Sequence, residues 1–218
     1  MSPLGLSLAV ALGATGISGV AGVLLGRLLA RPALRGRDLL DALVAAPLVL
    51  PPTVLGYYVL VALGRRSGLG RAWESLFGAP IVFTRAGLVV AATLGALPLV
   101  TRSSRAAFEG VDRTLVWAAR TLGATPWRAF VTVELPLAWR GVAAGLTFGF
   151  ARALGDFGVT LMVAGDIPGE TRTAALALYG ALQAGRDDEA HRLALTLTAF
   201  AVAALALVNR LGRPAPDA

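Results

Sequence analysis

Long apolar segments without charged residues constrain this chain more than any other feature of its sequence. Leu4–Leu25 and Ala42–Leu63 carry no charged side chain, and each is as long as the about 20 residues that an α-helix needs to cross a bilayer. Three further apolar segments, 81–101, 141–165 and 193–208, contain at most two charged residues each. The sequence therefore predicts a polytopic membrane protein with about five transmembrane helices, formed by residues 1–218 as a single domain.

The composition agrees with a membrane location. Of the 218 residues 56% are hydrophobic and 15% are charged, whereas about 25% are charged in an average soluble protein. The net charge of +7 comes from arginine alone, since the chain has no lysine. These arginines cluster between the apolar segments, which favours a role in membrane topology over nucleic-acid binding. Cysteine is absent, which excludes disulfides and thiolate metal sites, and no metal site is predicted.

The distribution of arginine orients the predicted spans. With five crossings and the N-terminus outside, twelve arginines fall on one side of the membrane and six on the other. The larger set is Arg27, Arg31, Arg35, Arg37, Arg102, Arg105, Arg113, Arg120, Arg128, Arg140, Arg210 and Arg213. The positive-inside rule makes the side with this set cytoplasmic. The C-terminus and the polar loop between the third and fourth spans are then predicted to be cytoplasmic.

That polar loop, residues 112–136, is called the elbow here because it has the pattern of two short helices separated by a glycine. Four residues recur at the spacing of a single apolar helical face: Leu115, Ala118, Ala119 and Leu122. Gly123 follows where a helix-terminating glycine belongs, and Thr125 and Pro126 have the sequence of an N-cap and a first-turn proline. The elbow is predicted to be an exposed bend that another protein can approach closely.

Within the elbow, residues 117–136 resemble the EAA loop of permease subunits from bacterial and archaeal ABC importers. The pattern of that loop is E-A-A, three residues, Gly, nine residues, Ile, one residue, Leu-Pro. Trp117 takes the place of the glutamate and Val133 that of the isoleucine, and the matching positions are Ala118, Ala119, Gly123, Leu135 and Pro136. The resemblance implies that Trp117 and the five matching residues couple the chain to a cytoplasmic ATPase. The simpler alternative is an interfacial amphipathic helix without a partner.

Glycine marks one face of the fourth span. Gly141, Gly145 and Gly149 repeat every four residues, a spacing of small residues that lets helix backbones approach closely within a membrane. Packing within the subunit is slightly favoured over a seam between two copies.

Proline interrupts the second span. Pro47, Pro51 and Pro52 lie within it, and each removes a backbone hydrogen bond, so the helix is predicted to be kinked or broken there. Pro51 and Pro52 are candidate pore residues, because broken helices are tolerated in a membrane where they face protein or a water-filled cavity. A simple packing kink is the alternative.

Two opposite charges lie inside the fourth span. Arg152 and Asp156 are four residues apart, so that on one helix they share a face and can pair. An ion inside a membrane helix costs about 2.5 to 3.5 kcal/mol on insertion scales, and pairing or a wet cavity reduces that cost. A structural salt bridge and a pore or gate role remain equal alternatives for this pair.

The segment that contains the pair narrows the family resemblance. Ala151–Thr173 resembles a motif of molybdate-importer permeases, ARxLGEFGATxMVAGNIPGxTxT, with Asp156, Val159 and Asp166 as the departures from it. The second span resembles the PLVLPPTVxGYYLL-like run of the same family. Sulfate permeases share the LGEFG core but usually have H-I-R-G-E/K-T at positions 166–171, and tungstate permeases diverge further.

This resemblance implies an all-α, type I ABC-importer permease fold and an import function for molybdate. It further implies a homodimer around one pore, a cytoplasmic ATPase dimer that binds Mg-ATP, an extracytoplasmic oxyanion-binding protein and contact with membrane lipid. No cofactor on this chain and no nucleic-acid partner are expected. Sulfate or tungstate permeases are the alternatives, followed by a membrane scaffold that merely recruits an ATPase.

An enzymatic role finds little support in the residues. An ATP-binding P-loop requires a lysine, and the chain has none. An intramembrane enzyme would need a nucleophile–base pair or a metal site, but the single histidine, His191, stands beside Arg192 at a predicted membrane boundary.

Overall fold

The computed structural model describes residues 1–211, and these residues form eleven α-helices, one π-helical turn and no β-strand. In chain order the helices are α1 Pro3–Leu29, α2 Arg37–Val49, α3 Pro52–Leu63, α4 Gly68–Phe77, α5 Arg85–Glu109, α6 Arg113–Thr121, α7 Pro126–Ala129, α8 Leu135–Leu154, α9 Gly158–Ala164, α10 Ala174–Gln183 and α11 Asp187–Leu211. The π-helical turn, Phe130–Glu134, joins α7 to α8. The all-α prediction is confirmed.

Three long helices, α1, α5 and α8, form the centre of the bundle. α1 and α5 run parallel, since Gly13 faces Val89 while Gly22 faces Val100. Their backbones touch at the end of α1, where a β-carbon placed on Gly26 would lie 2.8 Å from the backbone nitrogen of Arg105. This helix pair therefore tolerates no side chain at that position.

α8 packs antiparallel to α5 along the predicted row of glycines. β-carbons placed on Gly141, Gly145 and Gly149 would lie 2.5, 2.8 and 2.8 Å from the side chains of Ala107, Ser103 and Val100, respectively. The Ser103 hydroxyl donates to the Gly141 carbonyl at 2.7 Å. The row thus packs against a helix of the same chain, which confirms the favoured interpretation of packing within the subunit.

Within residues 1–211, three helical segments are long and apolar enough to cross a membrane: Pro3–Leu29, Arg85–Glu109 and Pro126–Leu154. The pair α2 and α3 counts as a fourth span if it is taken as one bent element, with an angle of 113° between its halves. The predicted fifth span, 193–208, lies within α11, and its side chains at positions 204, 207 and 208 lie outside the described residues.

The structure corrects two of the predicted spans. The third, 81–101, is helical only from Arg85, because Thr84 caps α5 by accepting a hydrogen bond from the Gly87 amide. The fourth, 141–165, is two helices and not one, since α8 ends at Leu154 and α9 begins at Gly158. The predicted break of the second span is confirmed, because α2 ends at Val49 and α3 begins at Pro52, with Pro51 at its N-cap position.

The glycine row allows a test of packing. Gly141→Ala should lower stability by about 1–3 kcal/mol, because the added methyl group overlaps Ala107 in a filled helix interface. Gly16→Ala is the matched control: it adds the same group to a membrane helix where no atom lies within 4 Å of the new β-carbon. The control should gain up to about 1 kcal/mol from helix propensity. Thermal unfolding midpoints in one detergent measure both, and equal midpoints would refute the close-packing explanation.

Candidate functional site

The elbow has the helix–glycine–helix structure that its sequence predicts. The Asp112 carboxylate caps α6 by accepting from the Thr114 amide at 2.8 Å, and this backbone hydrogen bond lowers the pKa of Asp112. Gly123 has φ +89°, a left-handed conformation that strongly favours glycine. Its amide donates to the Arg120 carbonyl at 3.1 Å. Thr125 then caps α7 by accepting from the Arg128 amide at 3.2 Å.

Three of the four residues of the predicted apolar face, Leu115, Ala118 and Leu122, are exposed, and Ala119 is half-buried. Leu122 is 88% exposed and Trp117 is 63% exposed, and Ala118 is exposed beside them. No atom lies within 4 Å of a β-carbon placed on Gly123. A group of exposed apolar side chains marks a surface that contacts another protein or a membrane, so the outward face of α6 fits both a docking surface and the interfacial helix given above as the alternative.

The structure separates the predicted coupling residues into two groups. Trp117, Ala118 and Gly123 lie on the outward face, and Ala119 is half-buried. Leu135 packs against the buried cluster around Phe108 and Phe130, while Pro136 is exposed in the first turn of α8. Leu135 therefore packs the elbow against the helix bundle and is not part of the outward face of α6.

Two arginines bond the elbow to the end of α1. The sequence analysis did not predict this role for either of them. Arg27, in the last turn of α1, forms a two-pronged ion pair with Glu134, with Nε–Oε2 at 2.6 Å and Nη2–Oε1 at 2.9 Å. Arg113 of α6 donates to the Ala30 carbonyl at 2.9 Å. Glu134 stands inside the recognised motif, but no spacing rule connects it to Arg27, 107 positions away.

Arg152 and Asp156 form the predicted ion pair, with Nη1–Oδ1 at 2.9 Å. The expectation of one helical face was wrong, because Asp156 lies beyond the end of α8, in the connection to α9. Its other carboxylate oxygen accepts from the Thr160 amide at 3.0 Å. The carboxylate is 1% exposed and Arg152 is 33% exposed. Asp156 therefore satisfies both a cation and an N-terminal amide of α9.

The breaks in the second and fourth spans lie beside each other. A β-carbon placed on Gly158, at the start of α9, would lie 2.6 Å from Cβ of Pro52, at the start of α3. Farther along the two helices, Gly56 packs against Met162 in the same way. The Arg152 guanidinium lies against Gly95, near the middle of α5. Two interrupted helices thus meet at mid-depth of the bundle, next to the Arg152–Asp156 ion pair.

The segment after α9 folds into a closed loop. Asp166 and Arg172 form a two-pronged ion pair at 2.7 and 2.9 Å, and this hydrogen bonding raises the pKa of Arg172. The Thr171 hydroxyl accepts from the Ile167 amide at 3.0 Å. Asp166 and Arg172 therefore neutralise each other at the end of the bundle opposite the elbow, where Glu170 of the same loop is exposed.

Residues 22–212 match the family model described as binding-protein-dependent transport system inner membrane component. The chain belongs to this family. It is 43% identical to the molybdenum transport system permease protein ModB of Escherichia coli K12, over 88% of this chain and 84% of that protein. It is 33% identical to the sulfate transport system permease protein CysT of the same strain, over 89% of this chain and 70% of that protein.

The fold has a counterpart among solved structures. A chain of the MetNI methionine ABC transporter, in inward-facing conformations, superposes with a TM-score of 0.73 over 95% of this chain and 92% of that chain. The sequence identity is 19%, so this similarity concerns the fold. The predicted type I ABC-importer permease fold is confirmed.

The ion pair beside the helix breaks gives a second test. Asp156→Ala should destabilise the protein, because it removes the hydrogen bond to the Thr160 amide of α9 as well as the salt bridge. Arg152→Ala leaves a buried carboxylate without its cation, a change that costs about 3–5 kcal/mol for a fully buried pair and less here because Arg152 is partly exposed. The double variant should recover part of the loss, as measured by the yield of monodisperse protein after detergent extraction.

Transport separates the two roles of this pair. If Arg152 lines the path, Arg152→Ala should retain its yield while uptake falls. Unchanged yield and unchanged uptake in all three variants would contradict both roles.

Proposed function

We propose that this chain is the transmembrane permease subunit of an ATP-driven importer of molybdate, in which it forms the translocation pore and couples to a separate ATPase. The observation that carries the substrate assignment is the identity of 43% to a molybdenum permease, against 33% to a sulfate permease over a similar length. The closed loop of Asp166–Arg172 adds support, because its sequence differs from the one usual in sulfate permeases.

Tungstate is the second candidate substrate. Molybdate and tungstate are tetrahedral dianions of nearly the same size, so a pore offers little basis to distinguish them. Selectivity between the two is assigned to the extracytoplasmic binding protein, and the permease accepts whichever oxyanion is delivered.

Uptake by cells tests the substrate assignment. Deletion of the gene should abolish high-affinity uptake of labelled molybdate and leave sulfate uptake intact, and the intact gene supplied in trans should restore it. Loss of sulfate uptake alone would place the chain in the other oxyanion branch of the family. Unchanged uptake of both would favour the scaffold alternative.

The orientation of the chain follows from its charges. The elbow, the end of α1, the start of α2 and the end of α5 lie at one end of the bundle, as the ion pairs Arg27–Glu134 and Arg37–Glu109 indicate. Most of the twelve arginines that define the cytoplasmic side belong to these segments; Arg213 lies outside the described residues. This end is proposed to be cytoplasmic, with the N-terminus outside.

The outward face of α6 is proposed as the surface that binds the ATPase. Each of two permease copies would present one elbow to one subunit of an ATPase dimer, and the binding protein would deliver the oxyanion at the opposite end. ATP with Mg²⁺ is assigned to the ATPase, because this chain lacks the lysine that a P-loop requires. No cofactor is proposed for this chain.

A substitution at Gly123 tests the docking role. Gly123→Val should still insert into the membrane but bind the ATPase weakly and fail to couple hydrolysis to uptake, because a β-branched side chain is strained at φ +89° and projects into the docking surface. Gly78→Val is the matched control. Gly78 ends α4 in the same left-handed conformation, with φ +71° and open space around it, but it belongs to the other end of the bundle.

Both Gly123→Val and Gly78→Val should therefore bear similar backbone strain, and only Gly123→Val should lose ATPase binding in a co-purification assay. Full ATPase binding and coupled uptake by Gly123→Val would rule out the docking role of the elbow.

A further inference from the structure

The attachment of the elbow to α1 is a feature that docking of the ATPase does not require. α6 could present its outward face equally well on a loosely tethered loop. In the structure, however, both halves of the elbow are bonded to the end of one membrane helix. Arg113, in the first half, binds the Ala30 carbonyl, and Glu134, in the second half, binds Arg27.

We infer that Arg27 is a positioning residue that makes α1 move with the elbow, through its two-pronged ion pair with Glu134. The inference rests on the proposed transport function, since it describes how movement of the ATPase would reach the membrane helices. It assigns Arg27 and Glu134 to the transmission of that movement and not to the binding of the ATPase or the oxyanion.

The geometry around Arg27 is that of a fixed joint. Its guanidinium bonds both oxygens of Glu134, at 2.6 and 2.9 Å, and lies 4.2 Å from the ring centre of Phe130. Nη2 also donates to the Pro126 carbonyl at 3.4 Å. A planar guanidinium held on two carboxylate oxygens and one aromatic face has a defined orientation as well as a defined distance. The joint therefore resists rotation of the π-helical turn about α1.

The exposure of the pair indicates that it contributes more than an ordinary surface ion pair. The Arg27 and Glu134 side chains are 16% and 17% exposed, whereas Arg186 and Glu189, at the other end of the bundle, are 56% and 41% exposed. Water screens the second pair far more than the first. Phe130, beneath the guanidinium, is 3% exposed and packs against Phe108 of α5. The Arg27–Glu134 pair is therefore in contact with the hydrophobic core of the bundle.

The path from the joint into the membrane is short. Gly26, the residue before Arg27, touches the backbone of α5 at Thr101 and Arg105, so a displacement of the end of α1 is passed to α5 without an intervening side chain. The π-helical turn carries the partner, Glu134, and leads directly into α8. Turns of this type are frequent at functional sites. The elbow thus acts on α1 and α8 together.

The test measures coupling in the whole complex. Permease, ATPase and binding protein are reconstituted in proteoliposomes, and the oxyanion imported is divided by the phosphate released. Arg27→Gln and Glu134→Gln should each lower this ratio roughly tenfold, the scale on which one charge-assisted hydrogen bond acts. The double variant should be no worse than either single variant, because the two residues act as one pair. ATPase binding should persist, since the outward face of α6 is unchanged.

Two further variants keep the test decisive. Arg186→Gln breaks the exposed pair at the other end and should leave the ratio unchanged. Arg27→Lys retains the charge without the fork that bridges two oxygens; it should fold even if Arg27→Gln does not, and its ratio should fall between those of the wild type and the glutamine variants.

An unchanged ratio in Arg27→Gln and Glu134→Gln, or in Arg27→Lys where the glutamine variants do not fold, would overturn the inference. So would a double variant whose loss equals the product of the two single losses, since the residues would then act independently. The ratio is measured with whichever oxyanion the wild-type complex imports, so an error over molybdate leaves this result intact. A wild-type complex that imports no oxyanion overturns the proposed function and this inference together.

Discussion

Close packing at glycine residues holds α1, α5 and α8 together, and the other elements are arranged around these three helices. Lipid tails are as apolar as the side chains they meet, so helices in a membrane gain little from hydrophobic burial and depend on close packing. Gly26 on α1 and the row Gly141, Gly145 and Gly149 on α8 bring both helices onto α5. Because α1 and α8 both pack against α5, a displacement of one of them alters the packing of the other.

The interrupted helices show how the chain satisfies backbone groups where a helix stops within the bundle. At the buried end of α8, Leu154 and Gly155 are followed by Asp156, whose carboxylate accepts from an amide of α9. The same carboxylate binds Arg152, so a single side chain offsets the cost of both a free amide and a lone cation. Pro51 and Pro52 lack amide hydrogens and leave fewer groups to satisfy at the neighbouring break.

Local patterns predicted most of the elements, and long-range contacts account for what they missed. Gly123 and Thr125-Pro126 specify the elbow because capping and left-handed turns depend on a few adjacent residues. The break at Gly155–Phe157 was missed because hydropathy stays high through it, and a four-residue spacing suits a helix end as well as a helix. Arg27 and Glu134 were missed because nothing local relates residues 107 positions apart; only the antiparallel packing of α1 against α8 brings them together.

The kind of bond between the elbow and α1 follows from where the elbow lies. At the end of the bundle the chain leaves the apolar layer, and packing such as that of Leu135 against the Phe108–Phe130 cluster sets a distance but permits sliding. A guanidinium on two carboxylate oxygens sets an orientation as well, and the rings beneath it limit the access of water. Both the position and the orientation of the elbow relative to α1 are therefore fixed. The outward face of α6 takes no part in this attachment and remains available to a partner.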